Sequence, residues 1–123
     1  MKKILIIDDS ITFRKGLSQI FKDIYPDCEI SEEDNGKDGF HALTRNSFDC
    51  ICTDLEMEGS DGRAFLEKLM GNKILSKKTV IILSGCITSE LVDRFKSKPN
   101  IKFIDKSTLA VMRDKIEAYL TKV

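Results

Sequence analysis

The sequence lacks an excess of charge of either sign: 20 Lys and Arg stand against 20 Asp and Glu, for a formal net charge of zero. No global field therefore draws it to a polyanion or an anionic membrane, and a partner must be recognised locally. Direct nucleic-acid binding and membrane association are not expected. Long apolar runs are also missing. Ile4-Leu5-Ile6-Ile7 stops after four residues at Asp8 and Asp9, short of the roughly 7–15 apolar residues of a secretory signal, and no stretch approaches transmembrane length. A cytoplasmic location is the expectation. The four cysteines, Cys28, Cys50, Cys52 and Cys86, lie in a chain without an export signal and are read as reduced thiols. Cys50 and Cys52 have the spacing to share one strand face, but with His41 the only histidine a zinc site lacks ligands, and small core side chains explain them better. Linkers rich in Pro, Gly or Ser, repeats and low-complexity tracts are absent too, so the expectation is a single domain over 1–123.

What is present is a rhythm. Strand-length apolar runs alternate with amphipathic stretches of helical length, the pattern of an α/β fold with a parallel sheet. Lys3 to Ile7, Cys50 to Thr53 and Val80 to Leu83 are nearly continuous in apolar or small residues, as strands covered on both faces must be. Cys28 to Glu33 alternates and is more polar, which suits an edge; Ile101 to Ile104 reads as the fifth strand. Between them, Phe13, Leu17, Ile20 and Ile24 recur at helical spacing until Pro26, with Asp9 or Ser10 as the cap. Phe40 and Leu43 follow the turn Asn35-Gly36, and Phe65, Leu66 and Leu69 follow Asp61-Gly62. Leu91, Val92 and Phe95 give a fourth helix; Leu109, Met112, Ile116 and Leu120 give a fifth, capped by Ser107 or Thr108. Five β-then-α units with right-handed crossovers predict a doubly wound, flavodoxin-like (βα)5 sheet of order 2-1-3-4-5.

In such a sheet, ligands bind beyond the carboxyl ends of the strands, near the point where strand order reverses. Asp8 and Asp9 stand at the end of the first strand, Asp54 at the third, Ser84 at the fourth and Lys106 at the fifth. Crowded carboxylates repel one another unless a cation neutralises them, and Mg²⁺ prefers such oxygen ligands. Lys106 adds a compact positive charge and Ser84 a hydroxyl donor, completing an electrostatic clamp suited to phosphoryl transfer. Each residue alone has a plainer reading as a helix cap, a turn former or a surface lysine. Joint placement at successive strand ends favours the clamp.

With those residues in view, the sequence resembles the receiver domain of two-component response regulators, especially the single-domain chemotaxis type, over essentially its whole length. The resemblance rests on Ile6-Ile7-Asp8-Asp9-Ser10 with Arg14, Thr53-Asp54-Leu55-Glu56-Met57 with Asp61-Gly62, Ile82-Leu83-Ser84-Gly85, and Phe103-Ile104-Asp105-Lys106. It implies that Asp54 takes a phosphoryl group from a sensor histidine kinase or phosphotransfer protein. Asp9 and Asp54 would bind Mg²⁺ directly, Asp8 mainly through water, and Glu56 through its backbone carbonyl. Lys106 and Ser84 would contact the phosphoryl oxygens, while Ser84 and Phe103 would form the switch that reshapes a face for a downstream target or an attached output domain. The implied role is signalling, with catalysis limited to the protein's own phosphorylation and dephosphorylation.

The sequence departs from the family pattern at two places. Glu58 follows Met57, and Ser107 follows Lys106, where the family usually carries proline, at the second in a cis peptide. Without proline a cis peptide costs about 2.5–4 kcal/mol, so the resemblance does not extend to the geometry of that turn. Glu56 and Cys86, two residues beyond Asp54 and Ser84, should flank the mouth of the pocket. Three rivals remain. A haloacid-dehalogenase-type phosphatase would need a second carboxylate where Ser10 stands, and a flavin-mononucleotide module would need a phosphate loop where Asp8 and Asp9 would repel the ligand. A pseudo-receiver that only binds partners has no need of the full set of acids, hydroxyl and lysine.

Overall fold

The computed structural model describes residues 2–57, 60–72, 78–95, 97–98 and 100–121. Each apolar run forms a strand: β1 (Lys3–Ile7), β2 (Glu29–Glu33), β3 (Cys50–Asp54), β4 (Thr79–Ser84) and β5 (Ile101–Asp105). The helices between and after them are α1 (Ile11–Ile24), α2 (Gly36–Arg45), α3 (Gly62–Gly71), α4 (Ser89–Phe95) and α5 (Leu109–Leu120). All neighbours in the five-stranded sheet are parallel, in the order β2-β1-β3-β4-β5. The expected doubly wound topology is therefore the observed one. The more polar β2 takes an edge, as its alternation implied.

The two faces of the sheet bury separate cores. Ile4 and Ile6 of β1, Cys50 and Cys52 of β3, and Ile81 and Leu83 of β4 point toward α1 and α5, against Leu17, Ile20, Phe21, Met112 and Ile116. Leu5 and Ile7, Ile51, and Val80 and Ile82 point the other way, against Leu43 of α2, Phe65, Leu66 and Leu69 of α3, and Leu91 and Phe95 of α4. This is the two-residue period of a strand written onto two helical layers. Gly39 lets α2 approach β1 closely, because a Cβ there would meet the Ile7 side chain and force it to shift.

Local signals set the helix ends. Ser10 caps α1, its hydroxyl accepting from the Phe13 amide at 3.3 Å, and Thr108 caps α5 by accepting from Val111. Asn35 caps α2 through the Asp38 amide, so Gly36 is the first helical residue of that segment and not part of a preceding turn. In α4, Leu91 and Phe95 are buried but Val92 is 39% exposed, since it lies at the margin of their stripe, about 100° of helix rotation from Leu91. The Cys50/Cys52 pair faces the α1/α5 layer, whereas His41 is exposed on α2 across the sheet. These residues do not converge on a metal.

The sheet places the strand-end residues as expected and holds them in its ladder. Asp54 and Ser84 are themselves the last residues of β3 and β4, in register with Leu83 and Asp105 respectively. Their backbones are fixed by the ladder and not by a loop. Past β3, Glu56–Met57 pairs antiparallel with Ser60–Asp61 in a two-residue ladder. Glu58, the residue in place of the family's proline, lies outside the described residues.

Candidate functional site

Four strand ends meet at the carboxyl edge of the sheet. Asp8 follows β1 directly and is fully buried; its amide donates to the Glu33 carbonyl at 3.1 Å, which keeps the backbone tied to β2. Asp54 is only 1% exposed. Asp9 is exposed, on the solvent side. Carboxylate oxygens of Asp8, Asp9 and Asp54 all lie within 4.8 Å of one another, and these three form the metal-capable acidic group found among the described residues.

Lys106 enters from the end of β5. Its amide donates to the Ser84 carbonyl at 2.9 Å, which fixes the backbone, and its ammonium donates to Asp8 Oδ2 at 2.9 Å and Asp54 Oδ2 at 2.8 Å. The ammonium also lies 4.4 Å from the centre of the Phe13 ring, a cation–π contact that supports it from α1. The second oxygen of each buried carboxylate takes a backbone donor: Asp8 Oδ1 accepts from the Ser10 amide at 2.8 Å, and Asp54 Oδ1 from the Glu56 amide at 3.0 Å. Arg14 braces the arrangement by donating to the Asp8 carbonyl at 2.6 Å and to Glu32 at 3.2 Å.

Burial is the dominant influence on Asp54 and pushes its carboxyl above the ordinary range; the Lys106 hydrogen bond and the Glu56 amide pull the other way without cancelling it. For Lys106, burial disfavours the charged form, but the hydrogen bonds to Asp54 and Asp8 outweigh it and hold the ammonium above its ordinary value. Lys106 thus stays charged between two carboxylates. It offsets one of three negative charges, and a hard divalent cation held by oxygen ligands is the species suited to offset two more. The donor set fits Mg²⁺.

Ser84 is fully buried at the end of β4, with the Cys86 amide donating to its Oγ at 3.0 Å. The hydroxyl itself donates to Glu56 Oε1 at 2.7 Å, and the Gly85 amide donates to Glu56 Oε2 at 3.0 Å. The Ser84 hydroxyl and the Gly85 amide hold the Glu56 carboxyl below its usual range. Phe103 sits one strand over, partly buried against the α4 side, its ring centroid 6.3 Å from that of Phe95.

The structure thus brings Asp8, Asp9, Asp54, Glu56, Ser84 and Lys106 to one edge, with Phe103 set apart on the α4 face. The Glu56–Ser84 bond and the Phe13 support of Lys106 were not anticipated from sequence. In the sequence Phe13 reads only as one residue of the α1 stripe.

Residues 4–117 match the family model of the response regulator receiver domain. The chain belongs to this family. It is 25% identical over 122 residues to the chemotaxis protein CheY of Pseudomonas aeruginosa, covering 98% of each chain. It is 32% identical over 94 residues to the transcriptional regulatory protein FlgR of Helicobacter pylori, there covering 76% of this chain but 23% of FlgR. Among solved structures, the Mn(2+)-bound form of response regulator Rcp1 superposes with a TM-score of 0.82 at 23% identity, covering 100% of this chain and 97% of the other. The receiver domain of a DNA-binding response regulator from Colwellia psychrerythraea gives a TM-score of 0.80 at 23% identity, covering 99% and 100%. The family's setting is two-component and chemotaxis signalling.

Proposed function

We propose that this receiver domain, spanning 1–123, is a phosphoacceptor switch modified at Asp54. One observation carries the reading: a buried strand-end carboxylate whose ammonium partner lies at 2.8 Å and whose neighbouring acids bring oxygens within 4.8 Å. An Asp54 carboxylate oxygen attacks the phosphorus of a phosphohistidine on a sensor kinase or phosphotransfer protein. The P–N bond breaks, its electron pair stays on the imidazole, and a new P–O bond leaves an acyl phosphate on Asp54. Lys106 moves with the developing charge from the carboxylate toward a phosphoryl oxygen, and Ser84 offers its hydroxyl to another.

Asp9 and Asp54 would hold Mg²⁺ directly, Asp8 mainly through water, and Glu56 through its backbone carbonyl. When bound, the ion supplies charge neutralisation between nucleophile and phosphoryl group. The Mn(2+)-bound state of the Rcp1 structure supports a divalent ion in this fold. Ser84 and Phe103 act as the switch. Once Ser84 turns to the phosphoryl group, the Phe103 ring turns inward and the surface of α4, β5 and α5 changes for a downstream protein or an attached output domain. This is a population shift, driven by contacts that exist only in the modified state. The protein turns over nothing but its own phosphoryl group, works in the cytoplasm and does not itself bind nucleic acid. No described helix is long and apolar enough to cross a membrane.

Incubation with acetyl phosphate and Mg²⁺, followed by intact-mass measurement, tests the reading. One added phosphoryl mass, lost on omission of Mg²⁺, is expected. An unchanged mass beside a labelled control receiver would turn the assignment to a pseudo-receiver, and steady hydrolysis of phosphate esters would turn it to a phosphatase.

A further inference from the structure

The Glu56 side chain has no place in the chemistry above, which uses only its backbone. Yet both of its carboxylate oxygens are occupied: Oε1 by the Ser84 hydroxyl at 2.7 Å and Oε2 by the Gly85 amide at 3.0 Å. Donors and acceptor come from different strand ends, 28 and 29 residues apart in the chain. The contact is a two-point clamp on an anion, of the charge-assisted kind that is shorter and stronger than a neutral hydrogen bond. A serine hydroxyl carries a single proton. While that proton is donated to Glu56 it is not available to a phosphoryl oxygen, and the Cys86 amide donating to Ser84 Oγ at 3.0 Å helps hold the hydroxyl in that orientation.

We propose that the Glu56 carboxylate is an internal stand-in for the phosphoryl group, occupying the Ser84 and Gly85 donors until Asp54 is modified and so acting as a brake on the phosphorylated state. This rests on the Asp54 reading and adds a regulatory residue to it. Two effects oppose loading. Ser84 must give up one anion before it serves another, and the displaced carboxylate is left close to a newly formed, multiply charged phosphoryl group. Glu56 is exposed, so its release into water needs no unfolding. Its replacement should spare the fold. Glu56 is accordingly a positioning residue: it acts through Ser84 and Gly85.

The test is a titration of the full chain with beryllofluoride, a mimic of the phosphoryl group, in saturating Mg²⁺, followed by amide NMR on wild type, Glu56→Ala and Glu56→Gln. Glu56→Ala frees both donors and should bind roughly tenfold more tightly than wild type, the scale of one charge-assisted hydrogen bond. Glu56→Gln keeps an acceptor for Ser84 but loses the charge, and should fall between the two. In the ligand-free proteins, the Gly85 amide should exchange with solvent faster in Glu56→Ala than in wild type, a readout independent of loading. Equal or weaker binding by both variants, with wild type binding normally, would overturn the brake alone, as would an unchanged Gly85 exchange rate. Failure of wild type to bind beryllofluoride at all would overturn the Asp54 assignment and the brake together.

Discussion

The interior of the sheet and the strand-end residues Asp8, Asp54 and Ser84 are equally hidden from water and chemically opposite. Ile4 to Ile7 and Val80 to Leu83 have no exposed surface, and neither do Asp8 and Ser84, which continue the same strands; Asp54 ends β3 at 1%. Burial does not change where each strand ends; polarity does. In the interior, burial stabilises by removing apolar surface from water, about 25 cal/mol per Å². At the edge the same burial disfavours charge, and this is what raises the carboxyl of Asp54. A fold optimised only for stability would have no reason to place three carboxylates there. The contrast supports the proposal that the edge is the reactive region.

The comparison breaks most sharply at Lys106. Lys106→Ala leaves Asp8 and Asp54 buried without their shared ammonium and should lower stability by about 3 kcal/mol in urea melts without Mg²⁺. If the proposed Mg²⁺ site is formed only in the folded protein, added Mg²⁺ should restore more of the loss in this variant than it adds to wild type. A loss well under 1 kcal/mol would mean that the edge is better hydrated than its burial implies.

Asp54→Asn should act in the opposite direction and raise stability at neutral pH, since burial disfavours the charged carboxyl that it removes while Asp8 still pairs with Lys106. The sign also fixes a pH dependence. A carboxyl whose folded pKa is raised favours the folded state most below its unfolded value, and that contribution is lost as pH rises through the folded value. The advantage of Asp54→Asn over wild type should therefore grow as pH rises above about 4, the ordinary aspartate value. A constant difference would contradict the burial argument.

The smallest effect uses the cysteines as reporters. Cys50 and Cys52, in the β3 interior, are buried; burial pushes the Cys50 thiol up to about 12 and that of Cys52 well above its ordinary value. Cys86, on the rim of the site, is exposed. Iodoacetamide should label Cys86 first in the folded protein and leave the β3 pair intact, as peptide mass mapping would reveal. Comparable labelling of Cys50 or Cys52 would mean that β3 opens readily.

Much of this arrangement is legible in the sequence. The unbroken apolar runs at β1, β3 and β4 and the alternation at β2 foretell central and edge strands, because burial on two faces or one leaves different periodicities. Asp8, Asp9, Asp54, Ser84 and Lys106 stand out because each ends such a run. Other features leave weaker traces. Val92 looks like part of the stripe of Leu91 and Phe95, but it lies at the stripe's margin, about 100° of helix rotation from Leu91, and is partly exposed. The Glu56–Ser84 clamp leaves no trace, since it joins side chains across 28 residues and depends on how far the turn after Asp54 carries Glu56 toward β4. Periodicity reports which face is covered, not which polar groups find each other over it.

Trapping the acyl phosphate would identify Asp54 as the acceptor. Borohydride reduces an aspartyl phosphate to homoserine, which marks the modified position permanently for peptide mass spectrometry. After treatment with acetyl phosphate and Mg²⁺, homoserine should appear at position 54 alone and be absent from Asp54→Asn. Homoserine at Asp8 or Asp9, or at no position while a control receiver is marked, would contradict the account.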